Sequence, residues 1–281
     1  MMLIRRVSVF SKDDKGGNRA AVVIETTKMT DEIRQHMATQ IGYSETVFLK
    51  SQKTGIFFAR FFTPTQEVDM CGHASIAAYA VLKQEGYTTL GESLVIDTKS
   101  GEIVLHEEEE YIFLQMPKAK LVRKLQLSES QTLRQIMTVQ ESDREDEQYP
   151  IVQCGLADIM FRTGSEEELN SLTPDYESMK EFSRKQDVIG VHAYYYDQAN
   201  SRVFARNFAP LYGIIEESAT GTSNAGLAFF LWSKGKRADR ECFEIIQGEA
   251  MGNPSLIEAR VEMTDYGPTC YVGGQVQYIS E

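Results

Sequence analysis

Cysteine is scarce in this sequence, and no two cysteines stand at the spacing of a redox or metal-binding motif. Cys71, Cys154, Cys242 and Cys270 are scattered over 281 residues without a C-x-x-C pattern. Proteins held together by disulfides carry more cysteines, closely spaced, and are made for oxidising compartments. We therefore expect a cytoplasmic protein without a disulfide framework.

Positive charge is also in short supply. Lysine and arginine number 29 against 41 aspartates and glutamates, which gives a formal net charge of −12. Without a basic stripe, attraction to nucleic acid or to an anionic membrane is not expected. No apolar run approaches the roughly 18 residues that a membrane-spanning helix requires. The N-terminal segment MMLIRRVSVF is too short in apolar residues for a signal peptide and indicates a first strand.

Strands and helices alternate along the chain. A length of 281 residues is large for one hydrophobic core and favours two lobes. The segment AAVVIE at 20–25 is typical of a strand. Thr30 is placed to cap a helix that ends at Gly42, and Thr173 with Pro174 predicts the start of another helix.

The two halves of the sequence contain an internal repeat. FARFFTP begins at residue 58 and FARNFAP at residue 204, with five identities in seven positions. Each is followed by a loop and a helix of small residues, CGHASIAAYAVL and TGTSNAGLAFFL. A repeated unit of this kind predicts an α+β fold of two pseudo-symmetric lobes, each a curled, mostly antiparallel sheet wrapped around a central helix. We place the lobes at 1–117 and 118–267, and 268–281 is positioned to pack back onto the first.

The repeated helices suggest a site for a small acid. A helix N-terminus has free N–H groups and a partial positive charge, and a glycine there lets an anion approach the backbone. Gly72 and Gly221 occupy this position in the two halves. Two such helix ends opening onto one cleft between the lobes would hold a carboxylate, although both glycines are also compatible with a simple tight turn.

The residues at these helix ends are candidates for proton transfer. Cys71 aligns with Thr220, so a racemase with two opposed thiols is not expected and Cys71 is interpreted as a small packing residue. His73 titrates near neutral pH, and the helix N-terminus is expected to lower its pKa. Glu45 opens a strand, and burial in the cleft is expected to raise its pKa so that it can accept and return a proton.

Five segments occur in order along the chain: GNRAAVV at 17–23, YSETVFL at 43–49, RFFTPTQEVDMCGHA at 60–74, ATGTSNAGLAFFL at 219–231 and QGEAMGNPSLIEARV at 247–261. Together they resemble the PhzF-like family, which belongs to the diaminopimelate epimerase and proline racemase fold group. The resemblance implies two lobes, a homodimer, and catalysis without cofactor or metal. The characterised member isomerises trans-2,3-dihydro-3-hydroxyanthranilate.

The resemblance also implies roles for individual residues. Glu45 matches the proton-shuttling glutamate of the family's S-E-T motif, and His73 matches the histidine of its G-H motif. The candidate catalytic residues are Glu45, His73, Glu217 and Thr222. The candidate substrate-binding residues are Asn18, Gly72, Ala74, Gly221 and Ser223. We expect a cofactor-independent isomerase of a small carboxylic acid.

The sequence departs from the family pattern at three positions. Glu217 and Thr222 stand where the phenazine enzymes have Asp and Ser, and Asn253 replaces an arginine that could bind a carboxylate. These changes affect substrate contacts more than the proton-transfer centre. Two alternatives stay open: an epimerase or racemase that uses Glu45 and Cys71, and a small-acid binding protein without turnover.

Overall fold

The computed structural model describes residues 3–13, 15–53, 56–88, 93–139, 146–235 and 237–279. The chain divides into two compact units, Met1–Gln115 with Gly273–Glu281, and Met116–Val272. Both units combine helices with mostly antiparallel strands, which confirms the α+β class.

In its described residues, the first unit has two α-helices and a sheet. Its elements are β1 (Leu3–Val9), β2 (Asn18–Ile24), α1 (Asp31–Ile41), β3 (Glu45–Lys53), β4 (Ile56–Phe62), β5 (Glu67–Val68), α2 (Gly72–Gln84), β6 (Leu94–Thr98), β7 (Gly101–Glu108), β8 (Tyr111–Gln115) and, from the C-terminal segment, β18 (Val276–Tyr278).

The part of the second unit that the structure describes has four α-helices and a sheet. Its elements are β9 (Lys120–Lys124), α3 (Leu127–Ile136), β10 (Pro150–Cys154), β11 (Leu156–Arg162), α4 (Glu166–Ser171), α5 (Tyr176–Gln186), β12 (Gly190–Asp197), β13 (Arg202–Ala209), β14 (Ile214–Glu217), α6 (Gly221–Lys234), β15 (Arg240–Gln247), β16 (Ser255–Thr264) and β17 (Gly267–Gly274), which extends past the boundary.

The same strand order occurs in both units, so the internal repeat is a repeat of structure. In the first unit the strands pair in the order β18, β1, β2, β3, β4, β6, β7, β8, with β5 beside β4. In the second they pair as β9, β10, β11, β12, β13, β15, β16, with β14 beside β13. The parallel pairs fall at matching places, β2–β3 and β4–β6 in one, β11–β12 and β13–β15 in the other.

The arginines of the two repeated FAR segments form ion pairs with glutamates on the equivalent short strands β5 and β14. Arg60 binds Glu67 through two nitrogen–oxygen contacts of 2.7 Å, and Arg206 binds Glu216 through two of 2.8 Å. Each guanidinium also lies over the phenylalanine two residues later, at 5.3 and 4.9 Å from the ring centre. Bidentate pairs of this kind are geometrically specific. They join β5 to β4 and β14 to β13, in addition to the backbone pairing of these strands.

The central helices α2 and α6 are buried by their own sheets. All residues from His73 to Leu82 are buried, and α2 packs on β1, β2, β3 and β8. The helix α6 packs on β10, β11, β15 and β16. Small residues on all sides allow this close packing. Within the described part of the chain, no helix has the length and hydropathy needed to cross a membrane.

The predicted ends of α1 agree with the structure, whereas the predicted start of α5 does not. Helix α1 begins after Thr30, whose side chain accepts from Ile33, and ends at Gly42 with φ of 70°, as expected. The helix expected from Thr173 and Pro174 begins later, at Tyr176. Asp175 caps it, because its carboxylate accepts from the backbone N–H of Ser178. Asp is as good an N-cap as Thr, and Pro174 lies before the cap.

Candidate active site

The first unit brings Glu45 and His73 into contact. Glu45 opens β3, and His73 is the second residue of α2, where Cys71 is the N-cap and does not cap with its side chain. Oε2 of Glu45 lies 3.0 Å from Nε2 of His73, and Oγ of Ser44 lies 3.3 Å from the same nitrogen. On the other side of the ring, Nδ1 lies 3.3 Å from Nδ2 of Asn18 and 3.2 Å from Sγ of Cys71.

The ring of His73 is held in one orientation by these neighbours. Its residue is only 8% exposed. Two oxygens face Nε2, so this nitrogen carries a proton. Cys71, interpreted from sequence as a packing residue, contacts Nδ1 of the same ring through its Sγ.

The pKa of Glu45 is lower than its ordinary value, contrary to the sequence-based expectation. Burial alone would raise the pKa of this carboxyl, but the contact with His73, its positive charge and the Ser44 hydroxyl outweigh burial. The expectation considered desolvation without the neighbouring imidazole. Glu45 is consequently ionised at neutral pH and free to accept a proton.

The pKa of His73 is raised well above its ordinary value, which also reverses the expectation. Burial alone would lower this pKa, but the contacts with Cys71 and with the Glu45 carboxylate outweigh it. Burial raises the pKa of the Cys71 thiol, and the neighbouring His73 partly opposes this rise. At neutral pH the site therefore holds an ionised carboxylate beside an imidazole whose pKa its neighbours raise.

The same three side chains each offer an atom that a metal could bind. The candidate ligand atoms of Glu45, Cys71 and His73 lie within 4.8 Å of one another. However, the carboxylate meets Nε2 while the sulfur meets Nδ1. Contacts on opposite ring nitrogens are expected for a chain that shares protons rather than for ligands converging on one ion.

The remaining candidates of the first unit surround this contact. Gly72 and Ala74 flank His73 in the first turn of α2, and Asn18 begins β2. In β2 and β3, Ala20 pairs with Glu45. All the candidates of this unit therefore lie at one end of α2.

The candidates of the second unit lie at the N-terminus of α6. Glu217 ends β14, and its Oε2 accepts from the hydroxyl of Thr220 at 2.7 Å. Gly221, Thr222 and Ser223 form the first turn of the helix.

Asp158 on β11 is a residue that sequence reasoning missed. It is 2% exposed, and its Oδ2 accepts from the hydroxyl of Ser223 at 2.8 Å. Its Oδ1 has no hydrogen-bond partner among the described residues. Burial raises the pKa of Asp158 to about 6. No local motif marks this residue, since its environment follows from strand register.

The second unit does not repeat the acid of the first. Thr46 pairs with Phe62, and Val191 pairs with Phe208, so Gly190 occupies the position equivalent to Glu45. A side chain at Gly190 has no room, because a Cβ there would lie 1.8 Å from the carbonyl oxygen of Phe208. The glutamate–histidine pair is therefore a feature of one unit.

A family model described as phenazine biosynthesis-like protein, PhzC-PhzF, matches residues 7–281. An uncharacterised isomerase of Deinococcus radiodurans is 33% identical over 277 residues, which cover 92% of this chain and 86% of the relative. One from Clostridium acetobutylicum is 30% identical, over 94% of this chain and 91% of the relative. These names support an isomerase-class function.

Solved structures share the fold. A PhzF-family phenazine biosynthesis protein from Bacillus anthracis superposes with a TM-score of 0.86 at 18% identity, over 100% of this chain and 98% of the other. A hydroxyproline epimerase from Agrobacterium vitis, with bound trans-4-hydroxy-L-proline, superposes with a TM-score of 0.61 at 12% identity, over 99% and 91%. With the motifs, the repeated fold and the match over residues 7–281, these findings show that the chain belongs to the PhzC-PhzF family of phenazine biosynthesis-like proteins.

Proposed function

We propose that this protein is an isomerase of a small carboxylic acid and that Glu45 moves a proton between two carbons of the substrate. The observation that carries the proposal is the contact of 3.0 Å between the Glu45 carboxylate and the ring of His73. It puts an ionised base beside a cation at the N-terminus of a buried helix. Positioned groups of this kind accelerate proton transfer by roughly 10² to 10⁴.

The substrate carboxylate would bind at the N-terminal turn of α2, where Gly72 and Ala74 present backbone N–H groups. Glu45 then removes a proton from a carbon next to an unsaturated or carbonyl group. The positive charge of His73 stabilises the charge that develops, and Glu45 returns the proton to another carbon. No cofactor or metal takes part in the proposed reaction.

The second unit would supply binding groups rather than a second base. Gly190 and Thr220 stand where the first unit has Glu45 and Cys71. A mechanism with one proton-carrying acid fits this asymmetry better than one with two opposed bases. Glu217, Thr222, Gly221 and Ser223 are proposed to contact the substrate, and Asn18 to orient His73. That residues of both units act on one substrate stays a prediction.

A second candidate is an epimerase that uses Glu45 and Cys71. The observation in its favour is the distance of 3.2 Å from Sγ of Cys71 to Nδ1 of His73, through which a thiol proton could be passed. The raised pKa of the thiol argues against it, because a neutral thiol is a poor base. A Cys71→Ala variant with full activity would eliminate this candidate.

The test is proton exchange in D₂O followed by NMR. Two probes are incubated with the protein, trans-2,3-dihydro-3-hydroxyanthranilate and trans-4-hydroxy-L-proline. The proposed isomerase moves a double bond and places deuterium on a different carbon of the first probe. Inversion with deuterium at the Cα of the second would establish the epimerase instead. Binding of either probe without any exchange would show a binding protein and contradict both enzymes.

A further inference from the structure

A chain of buried polar side chains runs through the second unit to the segment before α6. His192, Asn224 and Gln247 are each 0% exposed. Nε2 of His192 lies 2.9 Å from Oδ1 of Asn224, whose Nδ2 donates to Oε1 of Gln247 at 2.7 Å. Nε2 of Gln247 donates to the backbone oxygen of Glu217 at 2.7 Å and to Oγ1 of Thr220 at 3.1 Å.

The fold does not require these polar groups, because the first unit is built without them. His192 pairs with Asn207 in β12 and β13, and Nδ1 of the ring lies 3.0 Å from Oδ1 of that asparagine. The equivalent pair in β3 and β4 is Val47 with Phe61, both 0% exposed. Buried polar groups are costly unless fully hydrogen-bonded. Their presence in one copy only indicates a role beyond folding.

The position of Gln247 differs between the units in the same way. Phe57 pairs with Ile96 in one unit and Val203 pairs with Ile245 in the other, so the residue equivalent to Gln247 is Thr98. The hydroxyl of Thr98 donates to Gly101 in its own hairpin. In the first unit this position therefore does not serve the segment that leads to the central helix.

Two backbone groups fix the orientation of the Gln247 amide. The N–H of Thr220 donates to Oε1 at 3.3 Å, and the carbonyl of Glu217 accepts from Nε2. Reversing the amide would place N–H against N–H and oxygen against oxygen. Asn224 must then donate to Oε1, which leaves its own oxygen facing His192.

The proton of His192 is thereby assigned to Nε2. Burial, only partly offset by the contacts with Asn207 and Asn224, lowers the pKa of His192 to about 4, so the neutral ring holds one proton. Because Nε2 carries that proton and donates it to Oδ1 of Asn224, Nδ1 has no proton and must accept a hydrogen bond. The amide oxygen and nitrogen of Asn207 are nearly identical in shape, and this assignment requires them to exchange places, so that the NH₂ group donates to Nδ1.

At the end of this hydrogen-bonded series opposite His192, the same reasoning shows which groups donate to Glu217. Oγ1 of Thr220 accepts from Gln247, so its own proton points away and is donated to Oε2 of Glu217 at 2.7 Å. A carboxylate, which only accepts, completes this arrangement.

We propose that Gln247 is a positioning residue that holds Thr220 and the Glu217 carboxylate in place beside the N-terminus of α6, with Glu217 as a hydrogen-bond acceptor. The functional part of this inference rests on the proposed isomerase. The structural part stands on the hydrogen bonds alone, and the two parts are tested separately.

The structural part is tested by NMR on the full chain labelled with ¹⁵N-histidine. The signals of His192 are those that persist in His36→Gln, His73→Gln and His106→Gln. We expect a neutral ring with the proton on Nε2, and a mixture of both ring forms in Gln247→Met. Hydrogen exchange of the Thr220 backbone N–H with solvent should be about tenfold faster in Gln247→Met, because this N–H loses its acceptor. A proton on Nδ1 in the unchanged protein, or an unaltered ring in Gln247→Met, would overturn the proposal.

The functional part uses Gln247→Glu with trans-2,3-dihydro-3-hydroxyanthranilate. At pH 8 the new carboxylate cannot donate to Thr220, so we expect activity at least tenfold below the unchanged protein. Toward pH 5 the carboxyl gains a proton and donates again, so activity recovers. Thr98→Val, the matched change in the first unit, should show neither effect. Full activity of Gln247→Glu at pH 8 would contradict the role. If the unchanged protein does not act on the probe, the proposed function fails, while the NMR result still decides the hydrogen-bond assignment.

Discussion

Glu45 and His73 each hold the other in its charged form. Contact with His73 lowers the pKa of Glu45, and contacts with Cys71 and Glu45 raise the pKa of His73, in both cases against the effect of burial. Distances decide these directions, and a sequence contains no distances. For this reason the directions of the two pKa shifts could not be predicted from the motifs, although the motifs identified both residues.

The pH profile of kcat/KM should reflect this pair. We expect activity to fall as Glu45 gains a proton, at a pH lower than is usual for a glutamate, and to fall again as His73 loses one, at a pH well above that usual for a histidine. In His73→Gln only the Ser44 hydroxyl still opposes the effect of burial on the pKa of Glu45, so the acid limb should move to higher pH. His36→Gln, on the exposed face of α1, serves as the control. An acid limb at the same pH in all three proteins would contradict the assignment.

Asp158 should make stability depend on pH in the opposite sense from a salt-bridged aspartate. Its pKa is raised from 3.8 to about 6, so its contribution to stability is complete below pH 3.8 and is lost as pH rises through 6. A shift of this size corresponds to on the order of 3 kcal/mol.

Urea unfolding of Asp158→Asn against the unchanged protein measures this contribution. The variant should gain stability relative to the unchanged protein between pH 4 and pH 7, and Asp265→Asn, at an exposed site, should not. A difference in unfolding free energy that is the same at both pH values would show that Asp158 is ionised throughout.

At the scale of elements, the sequence predicted those features whose signals are local. Thr30 and Gly42 mark the ends of α1, and the repeated FAR segments mark equivalent strands. The predicted start of α5 was wrong because Thr173 and Asp175 are both good N-cap residues, and only the folded structure shows that Asp175 is the one used. Asp158 and Gln247 were missed because their partners are distant in the chain and are brought near by strand register.

The pairing of β12 with β13 explains why the second unit has no counterpart of Glu45. We expect Gly190→Ala to be destabilised by at least about 3 kcal/mol, because its Cβ would lie 1.8 Å from the carbonyl oxygen of Phe208. Gly235→Ala, where the nearest neighbour is 3.6 Å away, should change stability little. Equal unfolding free energies for the two variants, measured in urea, would show that this position can accept a side chain.

At the scale of the whole molecule, one supersecondary unit has been used twice and has diverged. The first copy carries the charged pair Glu45 and His73, and the second carries the buried chain that ends at Glu217. The family's fold and an isomerase-like function follow from the sequence motifs and the comparisons. The homodimer implied by the family resemblance stays a prediction, which sedimentation velocity would test.

The most direct measurement of the central claim is the rate of deuterium incorporation into trans-2,3-dihydro-3-hydroxyanthranilate by Glu45→Gln. The variant keeps the size of the side chain and removes its ability to accept a proton. We expect the rate to fall by roughly 10² to 10⁴, while Glu107→Gln, a change at another partly buried glutamate of the first unit, stays near the unchanged protein. Exchange by Glu45→Gln at the rate of the unchanged protein would contradict the account.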